Sequence, residues 1–500
     1  MTLAASTCPH CSQPIDSPHS SFCPHCGVQI PAAPARQAAS AAVALDYQTP
    51  SQPNRRWQAG TLSYTTAGLA LVIFWLLLGY AGVSYRDRGF TNSANLLLKH
   101  LDATSTVVAS LNVSMPQAIA MIFSPIIGYW SDRYRSRWGR RIPFLFLAAP
   151  ITMLALVGVA FCPQLGRALH AAMGSYSPGE TASPLIVFGV FWACFHFGLV
   201  CGNIGLTGLV NDVLPRSILG RFMSAFRMIS LIAGITFNYL ILGHVEAHFQ
   251  AIFISFALVS GIPLVLMCLM VREGNYPPPE QMAADHRAGG FFAAVGVYCR
   301  ECFSKPYYLW VFAAMALAGL MSGPVNWFSI FFAKSLNMDM ATYGKIMAAN
   351  HLTGFLLAYP IGVLADRFHP LRVSMATVAA YAITLLLGSI LIRDPFTFGC
   401  AMFAHMVISG TYLSASGALA QMLLPRLKFA QYWSAALVLS SLSIIVSSPI
   451  VGIILDKTGK NYRLTYVIGF ALAAITLAVM SVVHRKFMAL GGPRHYVAPE

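Results

Sequence analysis

From residue 62 onward the chain alternates long apolar runs with short polar breaks. An α-helix needs roughly 20 apolar residues to cross a bilayer, and runs of that length recur along the sequence. The pattern predicts twelve spans, over 62–83, 105–130, 142–162, 184–210, 222–243, 251–271, 307–333, 342–365, 373–392, 397–424, 430–455 and 464–483. The longest polar interruption, 272–306, contains REGNYPPPEQMAADHRAGG and parts the spans six and six. The expected fold is an all-α polytopic membrane protein. A six-helix bundle over 58–271 is followed by an inter-bundle loop over 272–306, a second bundle over 307–490 and a tail over 491–500. Ahead of the bundles, 31–57 is rich in Ala, Pro, Ser and Gln without sustained periodicity and reads as a flexible linker, leaving 1–30 as a separate segment.

Composition agrees with the pattern. With 57% hydrophobic and 10% charged residues and a mean hydropathy of +0.63, the chain is too apolar for an ordinary soluble globule. Its net charge of +15 then bears first on topology. With the N-terminus in the cytoplasm, 22 of the 32 Lys and Arg residues fall on that side and 10 on the other, the direction the positive-inside rule requires. Both termini are therefore expected in the cytoplasm, with the chain a multi-pass protein of the cell's inner (plasma) membrane. The opening residues lack the basic and apolar regions of a secretory signal.

Span two ends PIIGYWSDR (Pro125 to Arg133) and span eight ends PIGVLADRF (Pro360 to Phe368), each with a glycine four residues before an Asp-Arg pair. A second echo joins VLPR (Val213 to Arg216) to LLPR (Leu423 to Arg426), so a six-helix unit reads as duplicated. The first copy continues into SDRYRSRWGRR, five arginines and one aspartate in eleven residues. A loop this short, anchored in helices at both ends, offers few phosphate contacts and no element to read bases, so nucleic acid is not an expected partner. The arginines alone can be headgroup anchors. A carboxylate does not suit an anchor, and Asp132 needs a partner, either a guanidinium or the exposed N–H groups of a facing helix N-terminus. Such a contact closes the cytoplasmic side when the two halves rock together.

GYWSDRYRSRWGRRIPF resembles the motif of the major facilitator superfamily in the form carried by the glycoside-pentoside-hexuronide:cation symporters and the sucrose/proton symporters. NDVLPRSILGRF is similar to the loop such transporters carry after span four. The resemblance implies a cytoplasmic gate of Gly128, Asp132, Arg133, Arg137, Gly139, Arg140 and Arg141, with Asp212 and Arg221 from the second loop, and Gly362, Asp366 and Arg367 in the shorter second copy. Where cation symporters carry two span-two carboxylates this chain has Ala120 and Ser124, so a sodium site of that kind is not expected.

Polar residues within spans are candidates for the solute pathway, although a lone Asn or His often only bonds a neighbouring helix. They are His196, Asn203, Arg227, Asn238, Asn326, Trp327, Asn350, His351 and His405, with Trp75 and Tyr80 able to stack on a sugar ring. His196 and His405 stand at nearly equal depth before Pro215 and Pro425. No predicted span interior holds Asp or Glu, so transport is either proton-coupled through a histidine or uncoupled. Without a strong interior cluster of cations or anions the solute is read as neutral and polar, and the family resemblance implies a sugar or glycoside.

The N-terminal CPHCSQPIDSPHSSFCPHC places Cys8, Cys11, Cys23 and Cys26 in two C-x-x-C pairs, the spacing of a zinc ribbon. Four thiolates close the shell around one Zn²⁺, so the site is expected to be structural, and the ribbon is a candidate dock for a cytoplasmic protein partner. No phosphate loop, nucleophile elbow or H-E-x-x-H suggests an enzyme. The expectation is a monomeric secondary transporter working by alternating access. Its rivals are a non-transporting assembly or signalling protein on the same fold, and a transporter of an unrelated small molecule.

Overall fold

The computed structural model describes residues 6–7, 14–15, 57–275, 298–416, 419–425, 428–496 and 498–499, without the side chains of Asp132, Gly362 and Asp366 among a few others. The chain divides into two units, Met1–Arg55 and Arg56–Glu500. In the first, β1 (Ser6–Thr7) pairs antiparallel with β2 (Pro14–Ile15). Cys8, Cys11, Cys23 and Cys26 lie outside the described residues, and the expected ribbon with them.

The second unit opens on a hairpin of β3 (Trp57–Ala59) and β4 (Leu62–Tyr64). Among the described residues twelve helical spans follow. The first six are α1 (Thr66–His100), α2 (Ser105–Ala109 and Met115–Arg133, joined by a π turn over Ser110–Ser114), α3 (Ile142–Ala160), α4 (Ala182–Val213), α5 (Arg216–Thr236, continued by a π turn over Phe237–Ile241) and α6 (Phe249–Met270). The second six are α7 (Pro306–Leu320 and Gly323–Ser335), α8 (Met340–Phe368), α9 (Pro370–Leu391), α10 (Pro395–Ser416 and Leu419–Leu423), α11 (Phe429–Lys457) and α12 (Leu464–Ala489). Eleven are long and apolar enough to cross a membrane by length and composition. The other, α8, has 29 residues and spans about 43 Å, but it carries Lys345, Asn350, His351 and Thr353. Caps and prolines set the boundaries. Thr65, Thr104 and Asp339 accept backbone N–H bonds at the starts of α1, α2 and α8, and prolines open α7, α9 and α10, where a missing N–H costs nothing.

The first span departs from expectation. It runs to His100 instead of ending near residue 83, because the polar stretch SYRDRGFTNS holds no proline and Gly89 is buried against the rings of Phe237 and Phe256. Arg86, Asp87 and Arg88, read as loop, thus lie within a helix long and apolar enough to cross a membrane. Taking these two arginines out of the expected outer loops leaves eight Lys and Arg in them. Residues after α3 form an amphipathic helix, Cys162–Met173.

The halves pack alike. In the first, α1 contacts α5 and α6, α3 contacts α4 and α6, and α2 contacts α4. In the second, α7 contacts α11 and α12, α9 contacts α10 and α12, and α8 contacts α10. Each of these contacts in the first half recurs six helices later, as the duplicated motifs predict. The halves meet where α2 packs on α11 and α5 on α8. The membrane face carrying Trp57 and Tyr496 is here the terminal side, and the face carrying His100 the far side.

Candidate functional site

Near the middle of α1 the chain reads Tyr85-Arg86-Asp87-Arg88. The midpoint of α1 is residue 83, so these side chains sit about 3–8 Å beyond it along the axis. Arg86 is 3% exposed; its Nε and Nη2 donate to Asp87 Oδ1 at 2.9 and 2.8 Å, and its guanidinium lies over the Phe195 ring of α4. Asp87 is exposed at this depth. Arg88 donates through Nε and Nη2 to Ser230 Oγ of α5, at 3.1 and 2.8 Å. One helical turn on, a Cβ built on Gly234 would lie 3.3 Å from Arg88 Cδ and 3.3–3.4 Å from the His351 imidazole. An arginine of the first half and a histidine of the second therefore flank one point between the halves.

Other expected pathway residues gather at this depth. Asn203 is exposed on α4 and borders a small void with Arg86 and Thr152. Arg227 is exposed on α5, three residues before Ser230 and so on the same helix face. Asn326 is exposed on the second piece of α7, and Asn350 Oδ1 on α8 is buried without a hydrogen-bonding partner among the described residues. Asn238 is instead fully used, donating to Gly234 O at 2.8 Å and accepting from Asn92 of α1 at 3.4 Å.

Four expectations need correction. His405 is 0% exposed and lies between Tyr381 Oη, 2.8 Å from Nδ1, and Asn326 Oδ1, 3.0 Å from Nε2. Asn326 Oδ1 can only accept, so Nε2 is the donor in that bond. His405 orients Asn326 rather than lining the pathway. His196 packs among the rings of Phe90, Trp192 and Phe195 with its Nε2 buried, so the matched depth of the two histidines is not a matched role. Tyr80 stacks on Phe226, Trp75 packs edge-on against Phe74 and the Trp327 ring lies over Gly323, so these rings are occupied by the protein itself. The argument for a neutral solute also loses its premise, because Asp87, Arg86 and Arg88 form a charged cluster within a span.

On the terminal side the arginine-rich loop is anchored within the first half. Arg140 Nε and Nη2 donate to the two oxygens of Asp212 at 2.9 and 2.6 Å, and Arg141 Nη1 donates to Ser131 Oγ at 2.6 Å. Glu273, which the sequence reading missed, accepts the backbone N–H of Arg140, Arg141 and Ile142 at 2.9, 2.8 and 2.6 Å and so caps α3. Gly139 holds φ +106°, and a Cβ there would fall 2.4 Å from Glu273 Cδ, so glycine is required on two counts. Arg133 lies 3.6 Å over the Tyr129 ring, Arg137 stacks near Trp138, and Arg221 is exposed. Gly128 faces open space, since a Cβ there meets nothing within 4 Å. In the second copy Arg367 lies near the Phe368 ring, while His369 Nδ1 accepts from Leu371 N to cap α9. The side chains of Asp132, Gly362 and Asp366 lie outside the described residues.

Hydrogen bonds between described residues of the two halves gather at the far side. Asp456, at the end of α11, accepts from Ser105 N and Thr106 N, both at 2.8 Å, and from Thr106 Oγ1 at 2.6 Å. This carboxylate thus caps the N-terminus of α2 across the interface, where the helix dipole favours an anion. Ser114 bonds Ile445 O and Ser448 Oγ at 2.9 and 2.7 Å, and Lys334 pairs with Glu246. Gly452 admits the contact, since a Cβ there would lie 2.6 Å from Thr106 Cα.

A cleft of about 980 Å³ opens on the terminal side of the second half, bordered by Arg300, Glu301, Lys305, His369 and Lys428. Hydrogen bonds from Gln431 and Lys428 hold the Glu301 carboxyl below its usual range. It is built from loops and tail, away from the mid-membrane groups.

Solved structures share the fold. A bacterial homolog of the human lysosomal transporter Spinster, inward-facing and unoccupied, aligns with TM-score 0.64 at 14% identity, over 87% of this chain and 100% of its own. The nucleoside transporter NupG gives 0.59 at 14%, over 83% and 98%, and the inward-open xylose transporter XylE from E. coli 0.58 at 14%, over 83% and 95%. The Major Facilitator Superfamily model matches residues 59–432, about three quarters of the chain. With two like six-helix halves, a polar site at mid-membrane depth and a clasp joining the halves at one face, the chain is a membrane transporter rather than an enzyme and belongs to the Major Facilitator Superfamily.

Proposed function

We propose that this protein is a secondary transporter of a small polar solute, a sugar or glycoside by its loop motif, acting as a monomer by alternating access with both termini cytoplasmic. The observation that carries the reading is convergence. Asp87, Arg88 and Ser230 of one half and Asn326, Asn350 and His351 of the other reach one depth, beneath a clasp that joins the halves at the far side. With cytoplasmic termini the closed far side is the outer one, and the state is inward-facing. Amide, imidazole and hydroxyl groups at that depth suit a hydroxyl-rich solute. A proton gradient would act through Asp87, the single carboxylate within a span interior, or through His351.

The loop carboxylate supplies the opposite gate. Asp132 stands one residue before Arg133 at the terminal end of α2, and its role mirrors that of Asp456: a carboxylate that meets the other half only when that side closes. Asp132→Asn is expected to leave folding nearly intact and shift the protein toward the inward-facing state, read as faster labelling of cytoplasmic cysteines; unchanged labelling refutes the gate. Uptake into proteoliposomes of labelled sugars, with and without a pH gradient, tests transport itself, and no flux of any solute would favour the assembly or signalling reading.

A further inference from the structure

We infer that the mid-membrane site takes a solute bearing an anionic oxygen group, a carboxylate or a phosphate. The inference rests on the transport reading and sets the chemical class of its substrate. Of the charged side chains more than eight residues from either end of their spans, three are arginines, Arg86, Arg88 and Arg227, and one is a carboxylate, Asp87. The centre therefore carries two positive charges in excess. Lone charges at this depth are costly and are found facing a cavity or a partner. Arg86 has its partner, because both its Nε and Nη2 donate to Asp87.

Arg88 does not. Its Nε and Nη2 both donate to the Ser230 hydroxyl, a neutral group that leaves the guanidinium charge unbalanced, and no carboxylate accepts from it among the described residues. The remaining N–H groups of a guanidinium form a planar fork that matches a carboxylate or phosphate at two points. Arg227 adds a second exposed guanidinium on the same face of α5 as Ser230, three residues toward the terminal side. His351 Nε2, beside Arg88 but from the other half, offers a donor that moves relative to Arg88 when the halves rock. An anionic group lying between them would be held by both halves, whereas a neutral solute would leave the excess charge in place. Hydroxyls of the same solute would meet Asn326 and Asn203.

The test uses the full chain in proteoliposomes and labelled glucose, glucuronate, glucose 6-phosphate and inorganic phosphate. The expected result is uptake of an acidic probe at least about tenfold above glucose, cut by about tenfold in Arg88→Gln and only partly in Arg88→Lys. Preference for glucose, or acid uptake unchanged in Arg88→Gln, overturns the inference and leaves transport standing. The arms with glucuronate and inorganic phosphate separate the two anion types. Thermal stabilisation of the purified protein by the same probes is read in parallel, so that loss of flux through misfolding is recognised. Stabilisation by an acid without flux sustains the site and refutes transport; neither stabilisation nor flux overturns the site.

Discussion

Replacing Asp456 with Asn leaves the shape of the far-side clasp and removes its charge. The carboxylate accepts three hydrogen bonds from Ser105 and Thr106, two of them on Oδ2. An asparagine oxygen can keep the pair on one side, but its NH₂ would then face a backbone N–H and lose the third bond. Bonds to an ionised acceptor are roughly twice as strong as neutral ones, and an anion at a helix N-terminus contributes about 0.3–1 kcal/mol more. Together the loss is about 2 kcal/mol, or about 30-fold in the balance between far-side-closed and far-side-open states. Spin labels at exposed Arg167 and Asn461, one on the far side of each half, would report it as growth of a longer-distance population. Asp456→Glu keeps the charge and is expected to give a smaller change. A distance distribution identical to wild type in a well-folded Asp456→Asn protein would refute the clasp as a determinant of the conformational balance.

Glu273→Gln weakens the cap on three N–H groups of α3, and is expected to cost about 1–2 kcal/mol of stability, seen as a lower melting temperature in detergent. His405→Ala leaves the Tyr381 hydroxyl without its buried partner and is expected to destabilise by about 2–4 kcal/mol. Uptake by His405→Gln should keep the wild-type pH profile; an altered profile would return His405 to the pathway. Purified full-length chain is expected to hold one zinc per molecule by elemental analysis, and Cys8→Ser with Cys23→Ser to hold none while uptake persists. Equal zinc in both would refute the Cys₄ site.

Much of the fold was legible because a bilayer enforces a length and a polarity on each helix, and eleven spans satisfied both. The misreading of α1 has a physical origin. Arg86-Asp87-Arg88 looks like a loop to any hydropathy average, yet Arg86 is neutralised within its own helix and Arg88 by neither proline nor turn is turned outward. Reading past the charges to FTNSANLLLKH, which holds no breaker, was the available signal. The loop motif announced Asp132 but not Glu273, whose capping role depends on a return of the chain after α6 that spacing does not encode. Asp456 was more accessible. Pro449-Ile-Val-Gly452 followed by Asp456-Lys457 repeats the spacing of Pro125-Ile-Ile-Gly128 and Asp132-Arg133, at the opposite face of the membrane. Comparing equivalent positions of the two halves does not reveal it, because α11 is equivalent to α5, where nothing of the kind stands.

The clasp built by Asp456 has a lopsided chemistry, since two of its three donors are backbone amides, which every residue except proline supplies. Mutation can therefore silence it from one side only. Half-buried position 106 should accept many substitutions in a saturation library, proline apart, and buried position 105 the small ones, whereas 452 and 456 should accept almost none: the first because Thr106 Cα leaves no room for a side chain, the second because only glutamate also carries a carboxylate, and at a longer reach.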